Sequence, residues 1–187
     1  MFQNLQNELR PHLDINEHLL WTGKPKTGIV LNTSDIFLIP FSIFWCGFAI
    51  FWVIGASQAG FLFALFGVPF VAVGLMMVFG RFIIDAKQRE NTTYGLTQNR
   101  IIIKSGIFNS NIQSIDLKTL TNINLKEKKD GNGTIYLGPQ QYSRMAPWGD
   151  GMNWWPGAQT TPKLTQIQDA RQVYRKVIDQ KELAQKA

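Results

Sequence analysis

The chain has 187 residues, a formal charge of +6, two histidines and a single cysteine. One cysteine excludes a disulfide scaffold and a structural zinc site of the usual ligand count, and a hydrophobic fraction of 45% excludes a disordered chain. The mean hydropathy of −0.07 suits a soluble protein, yet it averages two unlike parts. From Ile36 to Gly80 there are 45 consecutive residues without Asp, Glu, Lys, Arg or His, and the other 142 carry all 32 formal charges. A uniformly soluble globule is therefore excluded.

Residues 1–35 hold three basic and four acidic residues. Glu8, Asp14 and Glu17 interrupt the stretch that a secretory signal would need to keep apolar. Phe2 to Leu9 reads as a short helix and His18 to Gly23, at about 18–23, as a short strand. That strand is expected to pair with others beyond the uncharged run. His12 and His18 read as surface histidines, not metal ligands.

Of the 45 uncharged residues, 34 are hydrophobic, eight are Gly or Pro, and the rest are Ser42, Ser57 and Gln58. A membrane-spanning helix needs about 20 apolar residues, so the run suits two spans. Gly55 to Gly60 supplies the turn, giving helices at about 36–54 and 61–80. Asp35 precedes the first; Arg81 and Asp85 follow the second. A buried hairpin in a soluble core is the competing reading, but such helices keep a polar face and these have none. Two stripes of small residues stand out. Ser42, Cys46, Ala49 and Val53 line the first helix; Gly60, Ala64, Gly67 and Gly74 line the second. Such stripes allow close backbone approach in lipid, either between the two helices or toward another copy. Pro40 falls in a first turn, where it costs little, and Pro69 should kink the second helix. No ionisable group lies within a span, which argues against an ion or proton path. Lys24, Lys26, Arg81, Lys87 and Arg89 flank the spans while the turn is uncharged, so both termini are expected in the cytoplasm.

Residues 81–187 hold 16 basic and nine acidic residues, a charge suited to an anionic leaflet. No helix-turn-helix or zinc pattern is present, and nucleic acid is not expected as a partner. Short β-prone runs follow at Thr92–Leu96, Arg100–Lys104, Asn109–Leu117, Asn122–Lys126 and Thr134–Gly138. The last two are joined by the hairpin loop Lys128–Gly133. This predicts an antiparallel meander. Ile167, Ala170, Val173, Tyr174, Val177 and Ile178 then recur at helical spacing, predicting an amphipathic helix at about 166–184.

Trp148, Trp154 and Trp155 crowd one loop. Tryptophan favours the membrane interface, so these residues are candidates for lipid or partner contact, against a plainer role of covering the domain's own core. Catalysis finds little support. Cys46 is placed in the bilayer, away from both histidines, and no Gly-rich phosphate loop occurs. Asp116, Asp150 and Asp169 read as solvated or capping groups. A lipid-modifying enzyme would need a polar cluster such as Asp116 with Arg100 or Arg144. No catalytic residue, cofactor or metal site is assigned.

Taken in order, Leu19-Leu20-Trp21-Thr22-Gly23-Lys24-Pro25, Asp35 to Phe41, two spans, Tyr94 to Ile103, Ser114 to Leu117, Gly133 to Gly138 and Ile167 to Tyr174 form a pattern. It resembles bacterial membrane proteins with a pleckstrin-homology-like (bacterial PH) domain. The resemblance covers nearly the whole chain. It implies an α+β membrane protein: a transmembrane helical hairpin (36–80) and a PH-like antiparallel β-barrel or sandwich capped by a C-terminal helix (81–187), with residues 1–35 giving a strand. It implies placement in the bacterial inner membrane and an interaction or scaffold role without catalysis, sometimes oligomeric. The alternative is an auxiliary subunit of a larger membrane transport or secretion complex. Besides the bilayer, the expected partner is a protein of unknown identity or a second copy of the chain. In eukaryotic relatives of that fold, basic residues in the first strand loop hold phosphoinositide phosphates. Here Lys126, Lys128 and Lys129 sit in a later hairpin among Glu127 and Asp130, and no headgroup site carries over.

Overall fold

A computed structural model describes residues 2–28, 30–31, 35–107, 109–138 and 161–186. The described residues divide into two compact units, a helical one within 28–86 and a mixed one formed by 2–27, 87–138 and 161–186.

The helical unit is an antiparallel hairpin. Helix α2 spans Asp35–Ser57 and includes Pro40. Helix α3 spans Phe61–Leu75 and includes Pro69. It continues through a π-helical turn at Met76–Gly80 into α4, Arg81–Glu90. The rod from Phe61 to Glu90 is thus 30 residues long, ten beyond the expected end at Gly80. Its charged last third keeps helical hydrogen bonding while leaving the apolar composition behind.

The mixed unit begins with α1, Phe2–Leu9, and a 3₁₀ turn at Arg10–His12. Strand β1, Leu19–Gly23, then pairs antiparallel with β2, Thr93–Thr97, which lies beyond the hairpin. Strands β3 (Arg100–Ser105) and β4 (Asn111–Asp116) complete a four-stranded sheet in the order β1-β2-β3-β4. A second sheet has the order β5-β6-β7, formed by Ile123–Glu127, Gly133–Leu137 and Lys163–Ile167. Helix α5, Ala170–Lys186, ends the unit.

The strands are antiparallel throughout, but they form two sheets rather than one meander, and the sheets do not close into a barrel. The break follows β4. Asp116 accepts the Lys118 N–H on its carboxylate at 2.8 Å and the Thr119 hydroxyl on its carbonyl at 2.9 Å, which turns the chain out of the sheet. Leu117 and Leu120, on that turn, are buried in the core. At the other side the sheets are joined. Lys26, just after β1, donates its backbone N–H to the Gln166 carbonyl of β7 at 2.8 Å.

The core lies between the sheets and α5: Tyr94, Leu96, Ile101, Ile103, Ile135, Leu164 and Ile167 meet Val173 and Val177. Ile102 points to the opposite face, level with Gly95, and is also buried. Helix α1 covers that face. A Cβ on Gly95 would come 2.7 Å from Leu9 Cδ1, so a larger residue there would make the Leu9 side chain shift. This explains the unbroken Ile101-Ile102-Ile103 run: both faces of β3 are covered.

The predicted helix start at Gln166 is corrected to Ala170. Residues 163–167 form β7, whose bulge at Gln166 (φ 48°) breaks strand alternation. Leu164 and Ile167 therefore both face the core at a spacing of three, which resembles helical periodicity.

Candidate functional site

The helical unit presents its side chains to two environments. Toward the partner helix lie Ser42, Cys46 and Ala49 on α2 and Gly67 and Gly74 on α3, all buried. Val53, Gly60 and Ala64 are half-buried on the same faces. The approach is close because side chains are small: a Cβ added to Gly74 would lie 3.0 Å from Cys46 Cα, and one on Gly67 would strike Val53 and Trp52.

The rest of the hairpin surface is apolar and exposed. Phe44 is 74% exposed, Phe51 74%, Phe61 77% and Leu62 78%. The most apolar windows of α2 and of the Phe61–Glu90 rod have mean hydropathies of 2.2 and 2.5, with 22% and 11% of their residues buried. Both helices are long and apolar enough to cross a bilayer. A core helix of the same composition would have most of that surface covered.

An ion pair lies at the charged end of the hairpin. Asp35, the first residue of α2, and Arg81, the first residue of α4, lie 3.2 Å apart (Oδ1 to Nη1), and both side chains are buried. The Arg81 guanidinium also stacks 4.5 Å from the centre of the Phe82 ring.

In the mixed unit the most connected polar group is Arg100, at the start of β3. Its Nε and Nη2 donate to the two carboxylate oxygens of Glu17 at 2.9 and 2.7 Å. Nη2 also pairs with Asp14 at 2.9 Å and donates to the His12 carbonyl at 3.2 Å. Burial of Glu17 disfavours its charge, but hydrogen bonds from Arg100, the Asp14 N–H and Thr97 outweigh that and hold its pKa at about 2. The group pins the segment after α1 to the β2–β3 turn. His12 and His18 take part through their backbones, the latter donating to Gln98 Oε1 at 3.0 Å.

An open cleft beside this clamp, about 530 Å³ in volume, is lined by Asp14, Asn16, Glu17, Arg100, Ser114 and Asp116 among others. Asp116 lies opposite Arg100 in the β3–β4 register. The Arg100 charge is paired with Glu17 and Asp14. Among the described residues, no three metal-ligating side chains converge.

Trp148, Trp154, Trp155 and Arg144 lie outside the described residues. Lys126, Lys128 and Lys129 are exposed at the β5–β6 hairpin, where Glu127 binds Arg171 of α5 at 2.7 Å. Sequence reasoning missed the Glu17–Arg100 clamp, whose partners come from opposite sides of the hairpin and share no local motif. It also took Asp35 and Arg81 as helix stops, and Arg81 as a flanking positive charge, without pairing them, although their symmetric placement about the turn was visible.

Comparison with known proteins gives one finding. A family model described as bacterial PH domain matches residues 40–181, more than half of the chain. No curated protein and no solved structure matches.

Proposed function

The chain belongs to the bacterial PH domain family, and from that premise we propose that it is an integral membrane protein presenting its PH domain as an interaction or scaffold module on the cytoplasmic face. The observation that carries this reading is the exposed apolar surface of the two helices, whose most apolar windows are only 22% and 11% buried. Exposing so many aromatic and aliphatic side chains to water is unfavourable at roughly 25 cal/mol per Å² of apolar surface, and a bilayer removes that cost. The basic residues beside the spans and the uncharged turn support termini on the cytoplasmic side of a bacterial inner membrane.

In this reading the module works by contact. Anchoring raises its effective concentration toward partners on the same membrane, whether a second copy or another protein. The mixed unit supports a binding role through its buried core and satisfied polar clamp, which leave the side chains of an interaction surface as the variable part.

The test has three arms. Alkaline carbonate should leave the protein in the membrane pellet. Green fluorescent protein fused at residue 187 should fluoresce, while alkaline phosphatase at that position should be inactive; the reverse result overturns the orientation. In-cell crosslinking from the β strands should capture a protein partner, and recovery of a fixed-stoichiometry foreign complex in mild detergent would recast the chain as its auxiliary subunit.

A further inference from the structure

We propose that Arg81 is a binding site for a phosphate oxyanion, supplied by the phosphodiester of a membrane phospholipid at the charged end of the hairpin. The inference rests on the membrane reading above and adds a ligand to it.

The Arg81 side chain is 5% exposed, and one of its nitrogens, Nη1, is paired with Asp35. Nε and Nη2 are buried and have no hydrogen-bond partner. Buried N–H groups of a cation left without acceptors are costly, so such groups mark a missing partner. These two nitrogens form one edge of the guanidinium, a planar fork that fits two oxygens of one oxyanion. The chain shows what that edge holds when satisfied: in Arg100 the same Nε and Nη2 grip the two oxygens of Glu17 at 2.9 and 2.7 Å. Phe82 stacks against the Arg81 guanidinium and fixes its plane.

Position selects the acceptor. Arg81 follows Gly80, the last residue of the uncharged run, and its partner Asp35 opens α2. The 23 residues of α2 rise about 34 Å, slightly more than the roughly 30 Å hydrocarbon core. The ion pair therefore falls at the depth of lipid phosphates. Because Asp35 already balances the Arg81 charge, the fork recognises the phosphodiester itself, not the net charge of the headgroup.

The full chain, purified in a maltoside detergent with ¹⁵N-arginine, provides the test. The Arg81 Nε–H resonance, identified by its loss in Arg81→Lys, is followed while short-chain phosphatidylglycerol, phosphatidylethanolamine, diacylglycerol or inorganic phosphate is added. Both phospholipids should move it to a similar extent and diacylglycerol should not. Arg81→Lys, which keeps the charge but loses the fork, should lower phospholipid retention in native mass spectrometry on the order of tenfold or more. Should Arg81→Lys fail to fold, the resonance is assigned through its scalar connectivity to the Arg81 backbone amide and the wild-type titration decides. Inorganic phosphate moving the resonance in place of lipid would support the oxyanion site with a free anion as its source. A resonance that no phosphate compound moves, or that diacylglycerol moves as well, overturns the site. Movement by phosphatidylglycerol but not phosphatidylethanolamine also overturns it, in favour of simple charge attraction. A protein that resists carbonate yet shows an unmoved resonance sinks this site alone; one released by carbonate sinks the membrane reading.

Discussion

Glu17 and Arg100, 83 positions apart, form a two-pronged ion pair of 2.9 and 2.7 Å that joins the segment before the hairpin to the turn after it. Thr97 reinforces it by donating its hydroxyl to Glu17 at 2.7 Å. The mixed unit is thus assembled from two stretches of chain with the apolar hairpin inserted between them.

The clamp makes stability depend on pH in acid. The Glu17 pKa in the folded protein, about 2, lies below its ordinary value of 4.5. Its contribution is complete above pH 4.5 and is lost as pH falls toward 2, because the unfolded chain then takes up the proton first. Urea unfolding of the detergent-solubilised protein should weaken by on the order of 2–3 kcal/mol across that window. Glu17→Gln should lose most of this dependence, and an unchanged slope in that variant would remove the clamp from the account.

Tyr94 links the two sheets. Its hydroxyl lies 2.9 Å from Thr165 Oγ1 and accepts the Thr165 N–H at 3.0 Å, and burial pushes its pKa up. Tyr94→Phe should cost about 1–3 kcal/mol by leaving the Thr165 N–H unpaired. Thermal unfolding should record the loss, while membrane association stays as in the wild type.

Within the hairpin, glycine positions should differ sharply. Gly74→Leu forces a side chain against the Cys46 backbone, whereas the surroundings of a Cβ at Gly47 are open. Overpacking of this kind costs typically 1–3 kcal/mol. Gly74→Leu should lower thermal stability in detergent and Gly47→Ala should not. Equal behaviour of the two would show that α2 and α3 do not pack through these faces.

Gly133 governs the seating of α5. A Cβ there would lie 2.7 Å from Ala170 Cβ and 2.9 Å from the Lys126 carbonyl. Gly133→Val should displace the first turn of α5 and destabilise the mixed unit by about 1–3 kcal/mol, read as faster amide exchange in Val173 and Val177.

The hairpin was legible because charge is absent over the length of two long helices, and the first six strands because β-branched runs alternate with turn residues. Strand β7 was not, since the bulge at Gln166 gives Leu164 and Ile167 a helix-like spacing. The split into two sheets was hidden in Asp116, which looks like a strand residue until its carboxylate is seen to cap the Lys118 N–H. The Glu17–Arg100 pair and the Arg81 fork depend on tertiary placement. Single charges in sequence carry no record of which distant group they meet, or of which edge is left unmet.

The pairing of Leu19–Gly23 with Thr93–Thr97 sets an order for biogenesis. The first strand leaves the ribosome long before its neighbour exists and must wait, unpaired, while the whole apolar stretch is translated. Sheet completion is then a late event of synthesis, and a nascent chain halted before residue 93 has no native strand to shield that edge.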